Sequence, residues 1–289
     1  MNRKAIRNTF ERSGLASLDD LESESWKAIF SLLEKGQQEF LSAGDAIWSA
    51  EYRKKWPTDA LHWWSRVWEY PYVYYHLAAW RSRISDPGIP VVVDLGSGVN
   101  FFPFSVARLG CDVKCVDVDE TCYADLQKAI KKIRVTEGKV EAFLCHGARL
   151  PFGDNAVDAI YCISVLEHVL DFQTTILEAF RILKPGGLFL LTIDLDLCGN
   201  AEIGPERHET LVSALTDRFS YVYGDTTIHP TRILRSNTGP SPLKNLQGFP
   251  RFWFFIRQRV LKPLLGMKAL PMPENLYLAV QGFALTKKE

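Results

Sequence analysis

The sequence predicts an α/β fold built on a doubly wound, mostly parallel sheet. From Pro90 onward, apolar strand-like runs alternate with helix-like segments, a pattern typical of βαβ units. Before Pro90 the chain is helical in pattern and has no glycine-rich strand-turn signal, and six of the eight tryptophans lie before residue 70. We therefore expect a helical N-terminal cap over residues 1–88 and an α/β domain over residues 89–289.

Seven strands and four helices are predicted after Pro90. The strands are Val91–Asp94, Val113–Asp117, Val140–Cys145, Asp158–Ser164, Leu188–Asp194, Ser220–Tyr223 and Leu276–Thr286. The helices are Pro103–Leu109, a segment from about Glu120, Phe172–Leu183 and Glu206–Phe219. Between the third helix and the fifth strand, the run KPGG (184–187) predicts a turn, because proline stops a helix and glycine permits chain reversal.

Composition predicts a folded cytoplasmic protein without a metal site or a membrane span. Hydrophobic residues make up 47% and charged residues 24%, and 34 basic residues balance 34 acidic ones, so no overall field favours nucleic acid. The six cysteines form no CxxC pair, and the histidines form no HxxxH pair. The N-terminus is too polar for a secretory signal, and no segment approaches the roughly 18 apolar residues of a spanning helix.

The sharpest local signal is the run VVVDLGSG (91–98), a strand that ends in Asp94 and is followed by Gly96 and Gly98. Glycines allow a tight turn and close approach to a ligand, and the next helix offers free N–H groups to a carboxylate or phosphate. A dinucleotide-binding loop is disfavoured, since Phe101 replaces its third glycine and Asp94 would repel a pyrophosphate.

The spacing between the glycine loop and a second acidic residue is informative. Asp117 ends the second strand, 19 residues after Gly98. Acids about 20 residues beyond the glycine loop bind ribose hydroxyls in folds of this kind. An isolated aspartate at this point would more often cap a helix, but the combination with the loop predicts a nucleoside site.

These signals belong to a longer pattern that resembles class I S-adenosylmethionine (SAM)-dependent methyltransferases. The resemblance covers about residues 91–194 and consists of five segments: VVVDLGSG from 91, CVDVD from 115, LPF from 150, VLEHV from 165 and RILKPGG from 181. It implies a Rossmann-like, seven-stranded sheet whose last strand is antiparallel. It also implies SAM as the cofactor.

The resemblance further implies where the cofactor lies. The expected contacts are Asp94, Gly96, Ser97 and Gly98 around the methionine part, Asp117 on the ribose, Val118 and Ala148 beside adenine, and Ser164 under the sulfonium. The sequence departs from the family pattern at two positions. Asn100 replaces a small loop residue, and Gly147 stands where relatives often have an aspartate that binds the adenine amine. Adenine recognition is therefore expected to use backbone atoms or His146.

His168 is the candidate catalytic residue. It follows the fourth strand at the carboxyl edge of the sheet, where a histidine can act as general base towards a hydroxyl acceptor; the alternative is packing at a helix start. Glu167 and Asp194 share this edge and are candidates for orienting a polar acceptor or binding a divalent metal. The aromatic residues between Trp63 and Trp80 have two open interpretations, packing on the core and ligand contact.

The segment 226–273 is predicted to be a basic and aromatic insertion, with eight basic residues and no acid. Its part 249–268 is a candidate for peripheral contact with an anionic membrane surface, or for a lid over an acidic substrate. A solvated insertion with a small hydrophobic anchor is the simpler interpretation.

The leading hypothesis is a methyltransferase that acts on oxygen or nitrogen of a small-molecule or glycoconjugate acceptor. One alternative is a non-catalytic SAM-fold binding module. Another is a membrane-surface methyltransferase for a lipid-linked or phosphorylated acceptor. A nucleic-acid methyltransferase is disfavoured, because Ser164-Val165-Leu166-Glu167 stands where amino-methylating enzymes have an Asn/Asp-Pro-Pro-aromatic motif. The sequence makes no prediction of oligomeric state.

Overall fold

The structure is a computed structural model that describes residues 8–85, 88–147, 149–197, 202–223, 230–242 and 278–289. Its N-terminal elements are β1 (Gly14–Leu15), α1 (Glu24–Ser42), α2 (Gly44–Ile47), α3 (Ala50–Lys55) and α4 (Arg66–Arg81). The α/β part begins with β2 (Val91–Leu95), α5 (Phe102–Ala107), β3 (Asp112–Asp117), α6 (Glu120–Lys132), β4 (Lys139–Leu144) and β5 (Val157–Ile163). It continues with α7 (Phe172–Ile182), β6 (Leu183–Asp196), α8 (Pro205–Thr216), β7 (Phe219–Tyr221) and β8 (Leu278–Lys287).

The sheet confirms the predicted fold class. Strands β4, β3, β2, β5 and β6 are parallel neighbours in that order, and β8 pairs antiparallel with β6. All seven predicted strands are present within a few residues of their expected bounds. An eighth, β1, pairs with Gln281 and Gly282 at the outer edge of β8, beside β7. The segment before α1 is therefore not helical throughout, and part of it extends the sheet.

The run KPGG (184–187) differs from its prediction as a turn. Helix α7 ends at Ile182 and the chain enters β6 directly, with Leu183 paired to Val157. The next pair along is Leu188 with Ala159, so the four residues between form a bulge in a strand that has already begun. Gly186 adopts a φ of 71°, which glycine reaches without strain. The sequence signal located the irregularity but not its form.

Helix α4 packs its aromatic side chains on the sheet. Trp68 and Tyr72 are fully buried and stack with ring centroids 4.5 Å apart. They lie so close to β8 that a Cβ on Gly282 would be 2.6 Å from the Tyr72 ring. For these two side chains, packing on the core is the correct interpretation.

Pro71 lies inside α4 without breaking it. A proline there cannot donate the main-chain hydrogen bond to the carbonyl of Val67. The indole Nε1 of Trp26 donates to that carbonyl instead, at 2.7 Å. A side chain from α1 thus satisfies the acceptor that proline leaves open, and it joins the two helices.

Asp20 links the N-terminal segment to α4 by hydrogen bonds. Its buried carboxylate accepts hydrogen bonds from the Trp68 indole at 2.8 Å and the Ser17 main chain at 2.9 Å. It also forms an ion pair with the buried Arg12. In the part of the chain that the structure describes, no helix is both long and apolar enough to cross a bilayer.

We predict that Asp20→Asn destabilises the fold by about 3 kcal/mol, because it leaves the Arg12 guanidinium buried without its charge partner. Urea unfolding followed by circular dichroism measures the change. The matched control is Asp45→Asn, which removes an exposed carboxylate paired with Arg53 and should alter stability by at most about 0.5 kcal/mol. Equal effects of the two substitutions would contradict the role of Asp20.

Candidate active site

The carboxyl ends of β2, β3 and β5 border a cavity of about 670 Å³. It lies where the strand order reverses on either side of β2, the position at which ligands bind in open α/β sheets. One wall is the edge of the sheet with its loops. The opposite wall comes from the N-terminal segment and includes Tyr52, Trp56, Trp63, Arg66 and Tyr70.

The glycine loop after β2 is held by hydrogen bonds to β3. Gly96 donates its N–H to the carbonyl of Val116 at 2.8 Å, and Gly98 donates to Oδ2 of Asp117 at 2.8 Å. Both glycines have positive φ, 74° and 55°. A Cβ on Gly96 would lie 2.5 Å from the Val165 side chain, whereas a Cβ on Gly98 would have no described atom within 4 Å. Packing therefore excludes a side chain at Gly96, and Gly98 borders open space.

Asp94 places a buried carboxylate at the base of this cavity. It is 4% exposed and accepts a hydrogen bond from the Tyr161 hydroxyl at 3.0 Å. Burial raises the pKa of Asp94 to about 8, the Tyr161 hydrogen bond opposes that shift, and the charge of Asp117 adds to it. The charge of Asp117 thus acts on Asp94, and a cation in the cavity would favour the ionised form of Asp94.

Asp117 and Val118 follow at the end of β3. Oδ1 of Asp117 accepts the N–H of Asp119 at 2.9 Å, so both of its oxygens are already oriented by main-chain donors. Asp119 in turn caps α6 by accepting the N–H groups of Thr121 and Cys122. Val118 is 67% exposed and its residue lines the cavity. An exposed valine at this place presents an apolar surface to a ligand.

The structure brings the predicted cofactor residues together. Seven of the eight line this one cavity: Asp94, Gly96, Ser97, Gly98, Asp117, Val118 and Ser164. The eighth, Ala148, lies outside the described residues. Gly147 borders the cavity, whereas His146 is exposed and is not among the residues that line it. The individual ligand contacts of these residues stay predictions.

Ser164 is held by two residues of α4 that sequence reasoning missed. Its hydroxyl donates to Oε1 of Glu69 at 2.7 Å and accepts from Arg66, which also pairs with Glu69. Ser164 has a φ of 46°, a left-handed conformation that is unfavourable for a residue with a Cβ. Arg66 and Glu69 lie three residues apart on one helix face, but nothing local in the sequence connects them to Ser164.

Glu167 and Asp194 are adjacent at the same edge, as predicted. Oε1 of Glu167 accepts the main-chain N–H of Asp194 at 3.3 Å. Among the described residues, neither Oε2 of Glu167 nor Oδ1 of Asp194 has a hydrogen-bond partner, although both atoms are buried. Burial raises the pKa of Glu167 to about 7. Burial, followed by the charges of Glu69 and Glu167, also raises the pKa of Asp194.

His168 lines the cavity and has a carboxylate partner. Its Nδ1 lies 3.3 Å from Oε2 of Glu202, and this hydrogen bond raises the pKa of His168. Its side chain is mostly exposed, so it is not the packing residue of the alternative interpretation. Glu202 was not predicted from sequence, since it lies in a loop 34 residues away. A carboxylate on Nδ1 fixes the ring and leaves Nε2 available for proton transfer.

The basic insertion is described only over residues 230–242. Arg232 is in this part and pairs with Asp19 and Glu22 of the N-terminal segment, so its charge is engaged within the chain. The predicted membrane-contact segment 249–268 lies outside the described residues. Across the described ranges, His, Cys, Asp and Glu side chains form no group of three arranged to hold a metal ion.

Comparisons with known proteins match the α/β part of the chain. Residues 93–191 match the family described as "Methyltransferase domain". A probable SAM-dependent methyltransferase of Mycolicibacterium smegmatis is 29% identical over 101 residues, 35% of this chain and 37% of that protein. The ubiquinone biosynthesis O-methyltransferase of Cupriavidus pinatubonensis is 31% identical over 121 residues, 41% of this chain and 47% of that protein. The alignments thus span less than half the length of these relatives.

A solved structure gives a looser match. The [4+2]-cyclase SpnF is 17% identical, and the match covers 73% of this chain and 80% of that chain with a TM-score of 0.49.

We predict that Gly96→Ala and Gly98→Ala have unequal effects on stability. Gly96→Ala should cost about 2–4 kcal/mol, because the new methyl group collides with Val165 and the backbone has positive φ. Gly98→Ala should lower the free energy of unfolding by only about 1 kcal/mol, because the new methyl group has space and only the positive φ is unfavourable. Chemical denaturation of the two variants side by side measures the difference, and similar losses would show that the loop relaxes around either side chain.

Proposed function

Because residues 93–191 form a SAM-dependent methyltransferase domain, we propose that the chain as a whole transfers a methyl group from SAM to a small-molecule or glycoconjugate acceptor. The observation that carries the proposal is the convergence of Asp94 and Asp117 on one cavity, joined through the glycine loop. Two carboxylates beside a tight loop suit a ligand that combines an ammonium group with ribose hydroxyls.

The residues of the cavity fit this cofactor. Asp94 would form an ion pair with the ammonium group of SAM. This positive charge would stabilise the ionised form of the buried Asp94 carboxylate. Asp117 would accept the ribose hydroxyls, because each carboxylate oxygen has a second lone pair beyond the one used by the main chain. Val118 would lie against the adenine ring, and the open space beside Gly98 would admit the methionine part.

When bound, SAM supplies a methyl group on a positively charged sulfur, and S-adenosylhomocysteine remains after transfer. The chain must then align the acceptor and remove its proton. We assign proton removal to Nε2 of His168, which Glu202 orients through Nδ1. The proton that the acceptor's oxygen or nitrogen loses on methylation would pass to Nε2 of His168.

The acceptor would lie between the sheet edge and the N-terminal segment. Trp56, Trp63 and Tyr70 provide aromatic surface on that side of the cavity, which supports residues 1–88 as an acceptor-binding cap. Relatives named for ubiquinone biosynthesis and for demethylmenaquinone methylation support a small-molecule acceptor rather than nucleic acid. A cytoplasmic location belongs to the same proposal and is supported by the free cysteines of the described residues.

Cofactor binding is the first test. We predict that S-adenosylhomocysteine and SAM bind with micromolar affinity, that NAD does not bind comparably, and that Asp117→Ala weakens both ligands at least about tenfold by removing charge-assisted hydrogen bonds. Isothermal titration calorimetry measures all three. Asp45→Ala, an exposed carboxylate of α2, is the control and should bind like the wild type. If neither adenosyl ligand binds, the methyltransferase assignment fails.

Catalysis is the second test and distinguishes an enzyme from a binding module. Isotope-labelled methyl from SAM should appear in the small-molecule fraction of an extract from cells that lack this protein. His168→Ala should slow that transfer by about 10²–10⁴-fold without weakening S-adenosylhomocysteine, because a general base contributes this much to rate and nothing to cofactor binding. Tight cofactor binding with no transfer to any fraction would favour the non-catalytic alternative. Full activity in His168→Ala would remove the residue from the mechanism.

A further inference from the structure

Three carboxylates adjoin the residues that line the proposed acceptor side of the cavity, Asp194 through the hydrogen bond of its main chain to Glu167. Glu69 is fully buried, Glu167 is 3% exposed, and Asp194 is partly exposed. Glu69 bonds to Ser164 and Arg66, which line the cavity, and Glu167 precedes His168, which also lines it. These carboxylates, here named the acidic cluster, are separate from Asp94 and Asp117 on the cofactor side.

Negative charge exceeds positive charge around the acidic cluster. With Glu202, the described residues place four carboxylates here, and the cations close to them are Arg66 and His168. Arg66 is already engaged by Glu69 and Ser164. Arg207 lies nearby, but it donates to the main-chain carbonyls of Glu167 and Val169 rather than to a carboxylate. Within the described residues, carboxylates therefore outnumber cations in the cluster.

Two atoms of the acidic cluster are unpartnered among the described residues. Oε2 of Glu167 and Oδ1 of Asp194 are buried without a hydrogen bond, which is an expensive state for an ionised oxygen. Burial accordingly raises the pKa of both groups, which favours their protonated forms in the absence of a ligand. A cation close to the acidic cluster would favour the ionised forms instead.

The same cavity offers aromatic surface for a cation. Trp63 is 42% exposed and lines the cavity together with Trp56 and Tyr70, on the same wall as Arg66. Aromatic faces attract ammonium groups, and the attraction adds to that of nearby carboxylates. An anionic acceptor would instead face carboxylates and an arginine that Glu69 and Ser164 already engage.

We propose that the methyl acceptor carries a protonated amine, which binds in the cavity beside Trp56, Trp63 and Tyr70 while the adjoining Glu69, Glu167 and Asp194 provide negative charge. The inference rests on the proposed methyl transfer, because it assigns the acceptor half of the same cavity. It narrows the acceptor to a cationic small molecule and disfavours a phosphorylated one.

The test compares two probes of nearly equal size, benzylammonium and benzyl alcohol, on protein saturated with S-adenosylhomocysteine. Binding is measured by ligand-observed nuclear magnetic resonance. The wild type should bind benzylammonium at least about tenfold more tightly, a preference that nearby carboxylate charge and aromatic faces together can supply. Asp194→Asn and Glu167→Gln should each remove most of this preference. Glu141→Gln, which removes an exposed carboxylate of β4 paired with Lys114, controls for overall charge and should keep it.

The outcomes separate this proposal from the proposed function. If S-adenosylhomocysteine binds but the two probes bind equally, or if Asp194→Asn and Glu167→Gln both keep the preference, the amine assignment is wrong and the proposed function is unaffected. If Asp194→Asn weakens SAM but not S-adenosylhomocysteine, the cluster serves the cationic sulfur of the cofactor and the proposal is wrong. If S-adenosylhomocysteine fails to bind, the proposed function is wrong. The relative affinity of the ligand-free protein for benzylammonium and benzyl alcohol then tests the amine site independently. Thermal unfolding of each variant establishes that it is folded.

Discussion

The contact of Arg66 and Glu69 with Ser164 is the interaction on which the architecture of the site depends. Glu69 is fully buried, and an ionised carboxylate is costly to bury unless a cation and hydrogen-bond donors compensate it. Arg66 and Ser164 are those partners, one on α4 and one at the end of β5. Because Arg66 and Glu69 pair within α4, their hydrogen bonds with Ser164 are what join this helix to the carboxyl edge of the sheet, beside the cavity.

The parts of the fold that sequence predicted are those with local causes. Strands and helices of the α/β part carry their own periodicity, and Gly96 and Asp117 stand at element ends where chain direction and hydrogen bonding restrict the residue type. The spacing between Gly98 and Asp117 was informative because β2 and β3 are hydrogen-bonded neighbours whose ends must coincide. These constraints act over about twenty residues or fewer.

What sequence could not predict depends on contacts between distant segments. Glu69 and Ser164 are 95 residues apart, and β1 pairs with a strand more than 260 residues later. No periodicity encodes such a pair. The prediction of a turn at 184–187 was wrong for a related reason. Proline and glycine indicated a local irregularity, but its form is set by the neighbouring strand, because Val157 already pairs with Leu183 ahead of these residues.

The two halves of the cavity differ in how they relate to other proteins. The predicted cofactor residues that the structure describes, from Asp94 to Ser164, all lie within the matched segment 93–191, so the proposed donor site falls in the part of the chain that is similar to other methyltransferases. On the proposed acceptor side, Glu167 and His168 lie inside that segment, whereas Arg66, Glu69, Asp194 and Glu202 lie outside it. The proposed acceptor site therefore depends in part on α4, the end of β6 and the loop before α8, which the family match does not cover.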